Sequence, residues 1–283
     1  MNSAQRRLTV LVKTTMSSSL PPEILDIIVD HLYDESATLK ACCVVSKSWV
    51  PRARRHLFFQ VKISSVYPIK LWMEEFPHPL NSPAHYYARV LLLWELTSIT
   101  AAGTYARDWI QSFCHIVELQ VSIPWQDSQI QLSLVSLHGL FPSLKSLSLL
   151  THHYSVPLSE ISGLICSFPL LEDLRLHITT KDNATGDGWD APLTWPKLTG
   201  SLHLAGSIRP ITRTLLGLPG GLCFSKISIS CPADDSAGLV MDLVSKCYDT
   251  LESLRVDLSP QSAVPSASTV GWYLTSSLLP RPI

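Results

Sequence analysis

The sequence predicts an α/β chain: three short helices, then alternating strands and helices that build one curved parallel sheet. Two observations carry the sheet. A pattern Φ-x-x-Φ-x-Φ, with Φ apolar, recurs eight times, and its middle positions lie 25 to 29 residues apart. Two copies are nearly identical, since Phe141-Pro142-Ser143-Leu144-Lys145-Ser146-Leu147-Ser148-Leu149 parallels Phe168-Pro169-Leu170-Leu171-Glu172-Asp173-Leu174-Arg175-Leu176. The third observation is the opening: Ile24, Ile27, Ile28 and Leu32 recur at helical spacing straight after Leu20-Pro21-Pro22-Glu23.

Composition bounds the function. Of 283 residues 46% are apolar and 16% charged, where about 25% charged is usual. Such a chain is poorly protected against association, so a partner is expected to cover part of it. With 22 basic and 23 acidic side chains the net charge is −1, and no basic excess argues for nucleic acid. No apolar run approaches the roughly 18 residues of a membrane span; the best, Val90 to Trp94, stops at Glu95. The seven cysteines are odd in number and form no Cys-x-x-Cys pair, which predicts free thiols in a reducing compartment, cytoplasm or nucleus, and no zinc ribbon. Asn183-Ala184-Thr185 is a sequon without a secretory leader. Residues 1–19, with Arg6, Arg7 and Lys13 among Ser and Thr, read as a disordered leader.

In the opening helix Pro is tolerated because the first-turn N–H has no partner anyway, and Asp26 and Asp30 fall opposite the apolar positions. Ser36 is a candidate cap for a second helix carrying Leu39, Cys42 and Cys43. A third helix follows Ser46-Lys47-Ser48, with Trp49, Ala53, His56 and Leu57 on one stripe and Arg52, Arg54 and Arg55 largely off it. Three short helices bury little surface, so the unit calls for a partner or a neighbouring domain.

Leu20-Pro21-x-Glu23-Ile24, then Leu39-x-x-Cys42-x-Val44-Val45-Ser46-x-Ser48-Trp49, then Arg52 to Phe58 resembles an F-box of the kind found in large fungal families, over residues 20–63. The resemblance implies a helical plug that docks a substrate receptor on the Skp-type adaptor of a cullin–RING ubiquitin ligase. It implies a contact at Leu20, Pro21, Ile24 and Ile28, with Leu39, Val45 and Trp49 in or beside it. The alternative for the same residues is the core of a small helical domain.

Residues 64–258 hold most of the repeat. Its copies run Phe58/Val61/Ile63, Tyr87/Val90/Leu92, Ile116/Leu119/Val121, Leu144/Leu147/Leu149, Leu171/Leu174/Leu176, Leu198/Leu202/Leu204, Phe224/Ile227/Ile229 and Leu251/Leu254/Val256. The final Φ-x-Φ has period two and predicts a strand. Between strands, apolar residues at helical spacing predict helices around 109–113, 158–168 and 239–247. One strand and one helix per 25–29 residues resembles irregular leucine-rich repeats, irregular because no Asn follows each strand at a fixed place. The competing fold, a doubly wound sheet, lacks its glycine-rich phosphate turn here.

The intervening strand positions then form a solvent-facing concave row: Glu118 and Gln120, Ser146 and Ser148, Asp173, Arg175 and His177, Ser201 and His203, Lys226 and Ser228, Ser253 and Arg255. A target protein is expected there, at Asp173, Arg175, His177, His203, Lys226 and Arg255, with Trp189 of the 180–191 loop as an anchor. The Asp residues of that loop lack calcium-loop spacing, and His152-His153 and Cys114-His115 lack partners at metal or catalytic spacing. No metal, cofactor or catalytic set is therefore expected. Residues 259–283, with four prolines, read as a loose or truncated tail.

Three functions follow in order. The first is a substrate-recognition adaptor of an SCF-type ligase, with no enzymatic activity, nucleic acid or membrane of its own. The second is a leucine-rich-repeat scaffold without ligase recruitment, and the third an enzyme of unknown class.

Overall fold

The computed structural model describes residues 21–64, 66–94, 104–123, 137–151, 158–178, 196–206, 208–217, 222–232, 237–259 and 271–275. The chain divides into two units, Met1–Leu57 and Phe58–Ile283. The boundary falls six residues before the one expected at residue 63, because Gln60–Ile63 is already the first strand of the second unit.

The first unit holds α1 (Pro22–Asp30), α2 (Ser36–Val45) and α3 (Val50–Leu57). Pro21 and Pro22 open α1 as expected, the Pro21 carbonyl accepting from the amides of Ile24 and Leu25. Ser36 does not cap α2; it is the first helical residue, and Glu35 before it instead accepts the Thr38 hydroxyl at 2.9 Å. The core is Val29, Leu39, Cys42 and Ala53, with Leu32, Cys43, Trp49 and Leu57 packed around it. The inward face of α1 is thus not the isoleucine stripe. Asp30 turns toward α3, where Arg52 grips it through Nε and Nη2 and His56 Nε2 lies 2.7 Å away.

The second unit is α/β, with one sheet whose first eight strands are all parallel. They are β1 (Gln60–Ile63), β2 (Val90–Leu93), β3 (Glu118–Ile123), β4 (Ser146–Thr151), β5 (Asp173–Ile178), β6 (Ser201–Gly206), β7 (Lys226–Pro232) and β8 (Ser253–Ser259). Each strand pairs with the next in the chain, so the order never reverses as a doubly wound sheet requires. Six helices complete the nine found among the described residues: α4 (Val66–Glu75), α5 (Pro83–Tyr87), α6 (Thr104–Gln111), α7 (Leu158–Cys166), α8 (Arg209–Leu216) and α9 (Ala237–Lys246). Within the tail that reads as loose or truncated, β9 (Gly271–Thr275) adds antiparallel to β8. That pairing occupies the N–H and C=O groups an edge strand would leave open.

A backbone ladder links the turns just before each strand. The Phe59 carbonyl accepts from Arg89 and Val90, that of Arg89 from Val117 and Glu118, and that of Val117 from Lys145 and Ser146. The series continues from Lys145 to Glu172 and Asp173, from Gly200 to Ser225 and Lys226, and from Ser225 to Glu252 and Ser253, at 2.7–3.4 Å throughout. Phe113, Phe141 and Phe168 stand three residues before the first apolar position of their repeats and close the same turn by accepting from Ile116, Leu144 and Leu171, while Phe224 is itself the first apolar position of its repeat, and all four are buried.

On one face of the sheet the apolar positions stack in register. Val61, Leu91, Leu119, Leu147, Leu174, Leu202, Ile227 and Leu254 form one row across eight strands. Leu91 replaces the expected Val90, so Leu91 and Leu93 are buried and Leu92 faces the polar side. Val90-Leu91-Leu92-Leu93 is apolar at every position and carries no period-two signal. Its neighbours set the register, and one residue of slip exchanges the faces. Gly206, at φ +84°, ends β6 where a Cβ would run into the Ile178 carbonyl.

Leu174 is fully buried mid-row. Leu174→Ala is expected to cost roughly 2–5 kcal/mol through lost transfer energy and the cavity left behind, read from urea unfolding of the full chain. A cost below about 1 kcal/mol would mean that the row is not tightly packed.

Candidate functional site

Each unit presents a surface of its own. In the first, α1 turns Ile24, Ile27 and Ile28 outward, with 43%, 52% and 42% of their surfaces exposed. These positions lie at i, i+3 and i+4 and therefore share one stripe of the helix. Tyr33 after α1, and Val44 and Val45 at the end of α2, are more exposed still. Pro21 is exposed, Trp49 is half-buried, and Leu39 at 1% belongs to the core and offers no surface. Leu20 lies outside the described residues. Of the residues expected at an adaptor contact, the structure thus exposes Pro21, Ile24, Ile28 and Val45. Tyr33 was not foreseen, because no periodicity marks a residue in a turn.

The Asp30–Arg52–His56 cluster ties α1 to α3 beside the core that Val29 enters. Arg52, expected off the packed stripe of α3, reaches the carboxylate of Asp30, the last residue of α1. The Arg52 hydrogen bonds hold the Asp30 carboxyl well below the usual carboxylate range, and His56 adds to this against the opposing effect of burial. Asp26 adds a longer contact to Arg52, at 3.9 Å.

In the second unit the polar face of the sheet forms a groove of about 680 Å³. Its lining includes Gln120, Ser148, Arg175, His177, His203, Lys226, Ser228 and Arg255, all at intervening strand positions. Of the expected target-binding set, the structure brings Arg175, His177, His203, Lys226 and Arg255 together here. Trp189 and the 180–191 loop lie outside the described residues, as do His152 and His153. The His203 imidazole is held below its ordinary pKa, by burial first and then by Arg175, His177 and Arg255, with Asp257 opposing. Arg255 Nε donates to Asp257 Oδ2 at 2.8 Å.

Asp173 has a different employment. The Leu198-to-Leu202 repeat is one residue longer than its neighbours, and there the ladder loses a bond: the Glu172 carbonyl accepts from Gly200 alone. Asp173 Oδ1 supplies the missing acceptor, taking both the amide and the hydroxyl of Ser201 at 2.6 Å. Gly200 makes room, since a Cβ there would sit 2.5 Å from that oxygen. Asp173 is thereby committed to the fold.

The described cysteines are free thiols, and burial pushes Cys166 up to about 11 and Cys247 upward as well. Both stay protonated at neutral pH, the wrong form for a nucleophile. Among the described residues no cluster of three or more His, Cys, Asp or Glu is arranged to hold a metal, and no helix is long and apolar enough to cross a membrane. No protein-family model matches the chain, and no curated protein matches it either.

Two outcomes follow from these contacts. A depressed Asp30 pKa stabilises the first unit above the ordinary Asp value of about 3.9, and that contribution is lost as pH falls through the folded value. The protection of α1 and α3 amides, relative to intrinsic exchange at the same pH, should therefore fall below about pH 4. Asp30→Asn should flatten this dependence and cost only about 1 kcal/mol at neutral pH, since the pair is solvent-screened. Protection that falls equally in the unaltered chain and the variant would assign the acid sensitivity elsewhere. Asp173→Ala should cost about 1.5–3 kcal/mol in urea unfolding, the range for a hydrogen bond to a charged group; a neutral effect would show that water replaces the carboxylate.

Proposed function

We propose that the chain is the substrate-recognition subunit of an SCF-type ubiquitin ligase. In this reading the first unit is an F-box that docks on a Skp-type adaptor, and the second is an irregular leucine-rich-repeat array that holds a protein target. The observation that carries the reading is the outward stripe of α1. Ile24 and Ile28, which the F-box resemblance implies for the adaptor contact, are exposed in a unit whose core is complete without them. Exposed large aliphatic residues in a row on one short helix are costly unless something covers them.

The repeat half rests on eight parallel strands in chain order, each entered from its predecessor through the same ladder. Function here means raising the effective concentration of a target beside the ubiquitin-loading enzyme, with no chemistry by the receptor itself. Such a subunit works in the cytoplasm or nucleus.

Ile24→Asp with Ile28→Asp places two charges in the contact, and adaptor binding should weaken by about a hundredfold or more while circular dichroism stays unchanged. The readout is co-purification of the full chain with co-expressed Skp-type adaptor. If the unaltered chain does not co-purify, or the folded double variant does so undiminished, the docking reading is wrong and a repeat scaffold without ligase recruitment takes its place.

A further inference from the structure

Parallel register sets Gln120, Ser148, Arg175, His203, Ser228 and Arg255 side by side, one per strand from β3 to β8. Strands lie about 4.8 Å apart, so this transverse row is about 24 Å long, the reach of about seven residues of extended polypeptide. Arg175 and Arg255 stand three strands apart, about 14 Å. Lys226 enters the same groove from β7, beside Ser201 and Ser253.

The charge of the groove is one-sided. Among its described lining residues three are cationic, two are histidines and none is acidic. Of the carboxylates elsewhere on this face, Asp257 pairs with Arg255 and offsets its charge, Asp173 accepts from Ser201, and Glu118 lies on β3, so Arg175 and Lys226 carry the positive charge of the groove outside that pair. His203 in the row is held below its ordinary pKa by burial first, with Arg175, His177 and Arg255 adding to this and Asp257 opposing it.

We propose that this row seats an extended, carboxylate-rich segment of a protein target. The segment crosses β3 to β8 with its Asp and Glu side chains on Arg175 and Lys226, while the polar side chains of Gln120, Ser148 and Ser228 meet its backbone. Charge complementarity selects this occupant, because cations fixed on a rigid sheet favour a partner of opposite sign and steer its approach. Single-stranded nucleic acid is the competing occupant. It is disfavoured because the described lining offers no aromatic ring beyond two imidazoles on which bases would stack. The proposal deepens, and rests on, the reading of this face as the target-holding surface; adaptor docking involves other residues and another readout.

The test is fluorescence anisotropy of the full chain with three labelled probes: a short Asp/Glu-rich peptide, its Asn/Gln counterpart and a short single-stranded oligonucleotide. The acidic peptide should bind at least about tenfold more tightly than either of the others, and less tightly as salt is raised. Arg175→Gln with Lys226→Gln should weaken it at least about tenfold without moving the melting temperature, and Ser228→Glu, which adds a like charge to the row, should weaken it too. Equal binding of the amide peptide, tighter binding of the oligonucleotide, or undiminished acidic binding by the folded variants overturns the proposal. Each of these variants should still co-purify with the adaptor to the extent the unaltered chain does, so failure here is distinguishable from failure of docking.

Discussion

Each turn of the second unit gives one backbone carbonyl to amides of the next, and everything else in that unit is arranged around this handover. From Phe59 to Ser225 the acceptor recurs just before a strand begins, so the entry point of every strand is fixed by its predecessor. Strands of only four to seven residues can then build an eight-stranded parallel sheet. The register holds although the segments between strands differ in length. Where one repeat is a residue too long, a carboxylate stands in for the lost carbonyl contact and a glycine admits it. The accommodation is local, because each turn depends on its immediate neighbours.

Fixed register has a second consequence. The apolar row must lie wholly on one face, where Phe113, Phe141, Phe168 and Phe224 and the inward residues of α6 to α9 join it in one cluster. The opposite face is then left to polar residues whose spacing is set by the same ladder. A groove lined from several strands is thus a by-product of the geometry that builds the core, and its side chains stand on rigid elements instead of loops.

How much of this was legible follows from where the sequence carries periodic information. Alternation marked six of the first seven strands and their inward residues, from Leu119 to Ile229 without error. It failed at Val90 to Leu93, where four apolar residues in succession fit either face. Helices α4, α5 and α8 fall where one helix per repeat was expected but were not located by residue, and β9 was not foreseen, because the prolines and serines nearby read as coil. The polar positions were readable one strand at a time. Their alignment into a transverse row was not, because it depends on pairings across the sheet that no single segment encodes. In the first unit, helical spacing collected Ile24, Ile27 and Ile28 on one stripe but did not say whether it faced in or out. Burial of Val29 in the core decides that, and Asp30 adds ties to Arg52 and His56, partners 22 and 26 residues away that spacing rules do not connect.

The two surfaces use opposite physics, and the division is informative. An exposed aliphatic stripe gains free energy by leaving water, about 25 cal/mol per Å² of apolar area, with little sensitivity to salt or to the partner's charge. Such a surface suits one constant companion whose shape is matched. A groove lined by Arg175, Lys226 and Arg255 gains less from burial but discriminates by sign and spacing, which suits the choice of one segment among many. The net charge of −1 sharpens that choice. With 23 acids against 22 bases in the chain as a whole, a groove of one sign is a local enrichment, not a share of a generally basic surface. Electrostatic attraction is then confined within about a Debye length of the row, roughly 8 Å at physiological salt, so an acidic segment gains only by entering the groove.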